Sequence, residues 1–406
     1  MIGHFIDCNS NYGDLLYHIL LKELLRKFGS KEEVRCFSFV EGEAPLSSGY
    51  YVHSIQNMLQ GKSDTPRVLI IGGGESIRSY KNKTAANYAP LYPELFHPSF
   101  FSYVKKIFYG RVLHRNYFRE KFISKYMNYS SIGPWIICPQ NLTVDFLIAY
   151  CSCGGHVDGT QDLKTKVREA FDRANFIYVR DKRAQHSLLE CGVSNAIHVA
   201  PDLCCVLSDF YDLVAEKQKG QKILKKNGVD ISRKLAIFQS YPMDDRSVFL
   251  IVKQLKNYQK DFDCEIALMP VGYCHNDHIY LKKISELTQG AFYFIPVDSI
   301  FDMISVIAAS DIFLGTSMHG CITAFSFGKP FLIGPTGRDK QKGFLEACEI
   351  DTKLELKSWD QIEGCLNMLE GFEPGYFMDK IFSAKKNVYE IFAKLLCATN
   401  IGNQQI

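Results

Sequence analysis

The 406-residue sequence predicts two α/β domains, each an open, doubly wound parallel sheet with helices on both faces and a cleft between the two. Three observations carry that prediction. Short apolar runs alternate with amphipathic helical patterns from end to end. Several of the runs are unbroken rather than alternating, as in strands covered on both sides. The chain is also too long for one ordinary core, so two cores of roughly 150–200 residues are expected.

The strand candidates are "RVLII" (67–71), "WIIC" (135–138), "FIYV" (176–179), "LAIFQ" (235–239), "EIALM" (265–269), "FYFIPV" (292–297), "DIFL" (311–314) and "FLI" (331–333). Between them lie helices such as "DLLYHILLKELLRKFG" (14–29) and "DKRAQHSLLECG" (181–192), each stopped by a glycine. The Lys- and Gly-rich stretch 212–234 reads as the break between domains. This gives a first domain over 1–212, a second over 213–375, and a C-terminal helix within 376–406 expected to cross back over the first domain.

Composition narrows the class. An apolar fraction of 47% with 22% charged residues is that of a soluble globular protein. A net charge of +3 selects no partner. No run of about 18 apolar residues is present, so no membrane span is expected. The fourteen cysteines are scattered, several inside apolar runs, and no secretory leader is read at "MIGHFIDCNSNYGD". Free thiols in a reducing cytosol are therefore expected. Cys151 and Cys153 in "CSCGGH" lack the two intervening residues usual for zinc, so no metal site is assigned to them.

Residues 78–129 stand apart as an insertion, with ten Lys/Arg against two Glu and fourteen Tyr/Phe. A helical hairpin with inward aromatics and a solvated basic face explains this composition. A surface for anionic lipid head groups or a lipid-linked phosphate is the sharper alternative. No nucleic-acid motif accompanies the patch.

Ligands of such sheets bind beyond the carboxyl ends of strands, so the loops there hold the candidates. "NSNYGDLL" (9–16) puts backbone N–H groups and the Asp14 carboxylate at a helix start, where Asp14 can instead be a plain N-cap. "RVLIIGGGESI" (67–77) follows a strand with three glycines, which lets a backbone nest approach a ligand. It fits neither a dinucleotide fingerprint nor a P-loop. Arg180 and Asp181 sit at a strand end; the arginine suits a bidentate hold on phosphate or carboxylate, with a plain surface pair as the alternative. Asp202, after a proline in "HVAPDLCCVL" (198–207), reads as structural.

"GTSMHGCITAFSFGKP" (315–330) is the most informative stretch. It reads as a strand end, Ser317 as N-cap, and a helix closing at Gly328. His319 then lies in the first turn, where free N–H groups and the helix dipole favour an anion. Gly315 and Gly320 are expected to clear room for the ligand. An imidazole there can hold a phosphate or move a proton near neutral pH.

"GTSMHGCITAFSFGKPFL" resembles the signature of the polysaccharide pyruvyl transferase family. "NYGDLL", "LIIGGGESI", "YVRDKRAQHSLLECG" and the Asp of "APDL" follow in that family's order and approximate spacing, and 78–129 is the least familiar part. The resemblance implies a GT-B-like pair of Rossmann-like domains. It implies transfer of a pyruvyl group from phosphoenolpyruvate to sugar hydroxyls as a ketal, on a surface polysaccharide or its lipid-linked precursor. On that basis His319 is the expected general acid, and Asp14 deprotonates or positions an acceptor hydroxyl. Arg180, Ser317, Met318, Gly320 and Lys340 are expected around phosphoenolpyruvate, and Asn11, Gly13, Gly74 and Glu75 around the sugar. The chemistry asks for no metal and no cofactor beyond the donor substrate. A cytoplasmic enzyme is expected, peripheral at the inner membrane face if 78–129 binds lipid, with no nucleic-acid partner. Many members carry an arginine two residues before the histidine, where this chain has Ser317; Arg338 or Lys342 could supply that charge. The competing readings are a sugar-nucleotide-dependent glycosyltransferase of the same architecture and a non-catalytic relative that binds a phosphorylated ligand.

Overall fold

The computed structural model describes residues 1–77, 85, 119–127, 133–137, 144–241, 243–373 and 375–402. Most of the basic, aromatic segment 78–129 lies outside the described residues, and with it the proposed lipid-binding surface. Among those described there, Phe122 and Met127 are buried in the first core.

Strands β1 (Ile2–Phe5), β2 (Val34–Ser38), β3 (Gly42–Glu43), β4 (Tyr51–Ser54), β5 (Val68–Gly72), β6 (Leu147–Cys153), β7 (Phe176–Val179) and β8 (Ile197–Val199) form one sheet. Its order is β3-β4-β2-β1-β5-β6-β7-β8, parallel except for the short edge strand β3. Strands β9 (Lys234–Gln239), β10 (Cys264–Leu268), β11 (Tyr293–Phe294), β12 (Ile312–Gly315) and β13 (Phe331–Ile333) form a second, all-parallel sheet ordered β11-β10-β9-β12-β13. The central strands are buried along their whole length, which is why they read as unbroken apolar runs.

The structure changes several sequence expectations. Trp135–Ile137 is no strand; the three side chains are buried under the first sheet, with Trp135 packed on Phe5 and Phe39. Only two residues of "FYFIPV" join the sheet. The stretch 212–234 is mostly a helix, Leu213–Lys226, capped by Asp212. It packs on the Ile300–Ala309 helix so closely that a Cβ on Gly220 would lie 2.0 Å from the Ser305 carbonyl oxygen. Its lysines are a solvated helix face, which accounts for the Lys-rich composition.

The bodies are joined through the start of the Tyr12–Lys27 helix. The Tyr12 amide donates to the Val271 carbonyl at 3.2 Å, Asn11 forms a bridge with Gly272, and the Tyr12 hydroxyl meets Thr323 at 2.7 Å. The C-terminal helix Tyr376–Ala398 packs against β7 and the Leu203–Asp209 turn, where Lys385 pairs with Asp209 at 2.6 Å.

One buried pair sets a pH dependence. His4 on β1 stacks on His18, with Nδ1 atoms 3.2 Å apart, and His4 Nε2 lies 3.3 Å from the Gly72 carbonyl. Burial lowers the His4 imidazole to about 3, opposed by the Gly72 carbonyl. Burial, and then His4 and Lys22, also lower that of His18. In the unfolded chain both protonate near about 6.5, so below that pH the unfolded state binds more protons. Stability is therefore full above pH ~6.5 and falls as pH drops, by at most about 1.4 kcal/mol per pH unit for each group. Urea unfolding at pH 7.5 and pH 5 should show that slope, and the double variant His4→Phe/His18→Leu should flatten it. An unchanged slope would remove the pair as the cause.

Candidate active site

In each sheet the strand order reverses beside its first strand: between β1 and β5 in one body, and between β9 and β12 in the other. The loops leaving such neighbours diverge to opposite faces and open a crevice at their carboxyl ends. After β1 and β5 come Asn11–Asp14 and the glycine run 72–74; after β9 and β12 come Ser240–Asp244 and Thr316–His319. The two reversal points face each other across the interface, and His319 stands where they meet.

The helix Met318–Ser326 begins as its sequence requires. Ser317 accepts the Gly320 amide at 3.2 Å, and the Ser317 amide donates to Gln239 Oε1 at 2.9 Å. Met318 and His319 are left as first-turn amides not taken by a cap. The His319 side chain is 10% exposed and lies against the first body. A Cβ on Gly13 would sit 1.9 Å from His319 Nδ1, so the absent side chain admits the ring. Nε2 is 3.4 Å from the Tyr17 hydroxyl and 3.7 Å from Asp202 Oδ2, and the Tyr17 ring meets the imidazole edge-on.

Asp202 is the centre of this network. Oδ2 accepts from the Tyr17 hydroxyl and from Arg180 Nη1 at 3.0 Å, and Oδ1 accepts the Cys204 amide at 3.0 Å. Burial alone would raise its pKa, but His319, Arg180 and Tyr17 outweigh burial and hold the carboxyl well below its usual range. Burial, reinforced by Asp202, pushes the Tyr17 phenol well up and keeps it a donor. The loop carrying Asp202 is held by Ser152, whose hydroxyl accepts the Leu203 amide at 3.0 Å from a left-handed position (φ 55°) at the β6 irregularity. Asp202, Cys204 and His319 bring three metal-ligand atom types together. The Arg180 guanidinium pairs with that carboxylate, and burial pushes the Cys204 thiol up, so the three atoms sit within a buried hydrogen-bond network.

Asp14 is not an N-cap. It lies in the first turn of its helix, accepting from Asn11 Nδ2 at 2.8 Å, with Oδ1 over Gly74. Burial raises its pKa, and His319, Asn11, Lys340 and Arg180 pull it back. Gly74 holds φ 66°, and a side chain there would meet that carboxylate at 2.8 Å. Glu75 takes Arg183 at 2.9 Å and Arg180 at 3.5 Å.

Three assignments change. Arg180, expected to grip the donor anion, is 3% exposed and spans Asp202 and Glu75, so its charge is spent on the protein's own carboxylates. Gly315 and Gly320 clear room for the Phe313 ring, not for a ligand; a Cβ on Gly320 would lie 2.4 Å from it. Met318 is buried by its side chain, which leaves only its amide toward the cleft. Of the two cations considered in place of the missing arginine, Lys342 points away to Glu346, while Arg338 lies over the Tyr241 ring beside the β9 loop. Tyr17, Asp202 and Gln239 were not singled out as site residues from sequence. Tyr17 falls one turn beyond Gly13 and Asp14 on the same helix face, a spacing that marks it once the helix is known.

A family model described as polysaccharide pyruvyl transferase matches residues 11–333. No curated protein matches the sequence. Among solved structures, the chain is similar to the UDP-GlcNAc 2-epimerase of Neisseria meningitidis, at 11% identity, TM-score 0.55, and 98% and 99% of the two chains covered. It is also similar to a glycosyltransferase of Rickettsia africae, at 13% identity, TM-score 0.50, and 100% and 99% covered. These likenesses show the fold, two Rossmann-like domains in the GT-B arrangement.

Proposed function

The chain belongs to the polysaccharide pyruvyl transferase family, and from that premise we propose that it moves a pyruvyl group from phosphoenolpyruvate onto two hydroxyls of a sugar. The observation that carries this reading is the imidazole at the meeting of the two reversal points. An ionised Asp202 and the Tyr17 hydroxyl hold its Nε2 edge, and its Nδ1 edge is turned to Gly13 and the Asp14 side. A carboxylate beside one ring nitrogen orients a histidine and leaves the other ring nitrogen placed for proton transfer.

In the proposed reaction His319 gives a proton to the methylene carbon of phosphoenolpyruvate as an acceptor hydroxyl bonds to the neighbouring carbon. The phosphate ester bond breaks and phosphate leaves with its electron pair; the second hydroxyl then bonds to the same carbon to close the ketal and returns its proton to His319. Asp14, raised by burial, receives the proton of an acceptor hydroxyl. The free amides of Met318 and His319, with Lys340 and Arg338, supply positive potential for the donor's phosphate and carboxylate. Arg180 acts one step back, by keeping Asp202 ionised and in place. The test is incubation with a sugar acceptor and either phosphoenolpyruvate or a UDP-sugar. Phosphate release with a gain of one pyruvyl mass on the acceptor is expected; consumption of the UDP-sugar alone would overturn the reading.

A further inference from the structure

Beyond the network around His319, a second buried carboxylate has no part in the proposed chemistry. Asp277 opens the helix Asp277–Leu287 and is fully buried, whereas an acidic residue in a first turn usually faces water. Its Oδ2 accepts the Gly272 amide at 2.6 Å, the Val271 amide at 2.8 Å and Gln239 Nε2 at 3.1 Å. A carboxylate facing Nε2 fixes which way the Gln239 amide points, so Oε1 faces the other way. There it accepts the Ser317 amide at 2.9 Å and lies 3.4 Å from the Thr316 hydroxyl.

Both arms of this arrangement end at the site. On one side, the 271–272 segment clasps the first body, with the Val271 carbonyl on the Tyr12 amide and Gly272 bridged to Asn11. Gly13 and Asp14 follow directly. On the other side, Gln239 holds the residue that caps the His319 helix. We propose that Asp277 and Gln239 are positioning residues: one buried carboxylate and one buried amide, on the second body, set where Gly13 and Asp14 of the first body stand relative to His319. The proposal rests on the pyruvyl transferase reading only for its kinetic readout.

The test uses the full chain with four single variants and one double variant. Gln239→Leu keeps the volume and cuts the link to Ser317, so kcat should fall about 10–100-fold with the Michaelis constant for phosphoenolpyruvate changed less than about 3-fold, as expected for misplacement of reacting groups. Asp277→Ala should do the same. Asp277→Asn keeps an oxygen for the same three donors and should restore kcat to within about 3-fold. Wild-type kcat in Gln239→Leu would overturn the proposal, as would an equal loss in Asp277→Asn that follows only a fall in melting temperature. A readout independent of turnover is the imidazole NMR signal of His319. Asp14→Asn should shift it in the wild-type background and shift it much less in the Gln239→Leu background. Equal shifts in both backgrounds would sink the positioning role, even if phosphoenolpyruvate proved not to be the donor; absent turnover with this coupling intact would sink only the donor assignment.

Discussion

His319→Ala should lower turnover of phosphoenolpyruvate with a sugar acceptor by about 10²–10⁴ while leaving the fold in place. The loss is assigned to kcat because the residue is expected to act on the reacting carbon. The helix cap rests on Ser317 and Gln239, so neither of its supports is removed. Gly13→Ala is the geometric counterpart. Its new methyl group would fall 1.9 Å from His319 Nδ1, so the ring must leave its position. Alanine is favoured over glycine in a helix by about 0.5–1 kcal/mol, so any stability loss would report the clash with the ring rather than the helix itself. Steady-state kinetics with unfolding curves on both variants separate the effects. Near-wild-type kcat in His319→Ala would remove the histidine from the chemistry.

Asp202→Ala should cost about 3–5 kcal/mol of stability, the range found when one partner of a buried ion pair is removed. It strips Arg180 of its nearer carboxylate at 3.0 Å and leaves Glu75 at 3.5 Å as the remaining paired carboxylate, with the Tyr17 hydroxyl at 3.4 Å, for a guanidinium that is 3% exposed. It also leaves the buried Tyr17 hydroxyl without its acceptor. The double variant Asp202→Ala/Arg180→Met should recover part of the loss, because the uncompensated charge is then gone as well. Urea midpoints of the two variants against the native chain measure this. A loss in the single variant under about 1 kcal/mol would show that Arg180 finds water or another partner, against the burial described here.

The amino-acid order alone sets the local units. Unbroken apolar runs at 176–179, 235–239 and 331–333 give strands covered on both faces, and "SMHGCITAFSFG" carries its own start at Ser317 and stop at Gly328. These features are written within a few residues, where propensity and capping act. The reversal points follow from the strand order, which pairing across the sheet decides. Other features depend on contacts far apart in the chain. Asp202 looked like a turn residue because its partners, Tyr17, Arg180 and His319, stand 185, 22 and over a hundred positions away or are joined only by docking of the two bodies. Arg180 carries a phosphate-binding residue type at a suitable place, yet two nearby carboxylates claim its charge. Gly320 follows the histidine like a ligand-facing glycine, but the Phe313 ring beneath it fills that space. Residue type and spacing name the groups able to do chemistry. Which of them stay free to meet a substrate is decided by packing, because burial and pairing neutralise a charge only once the folded chain has brought its partner to it.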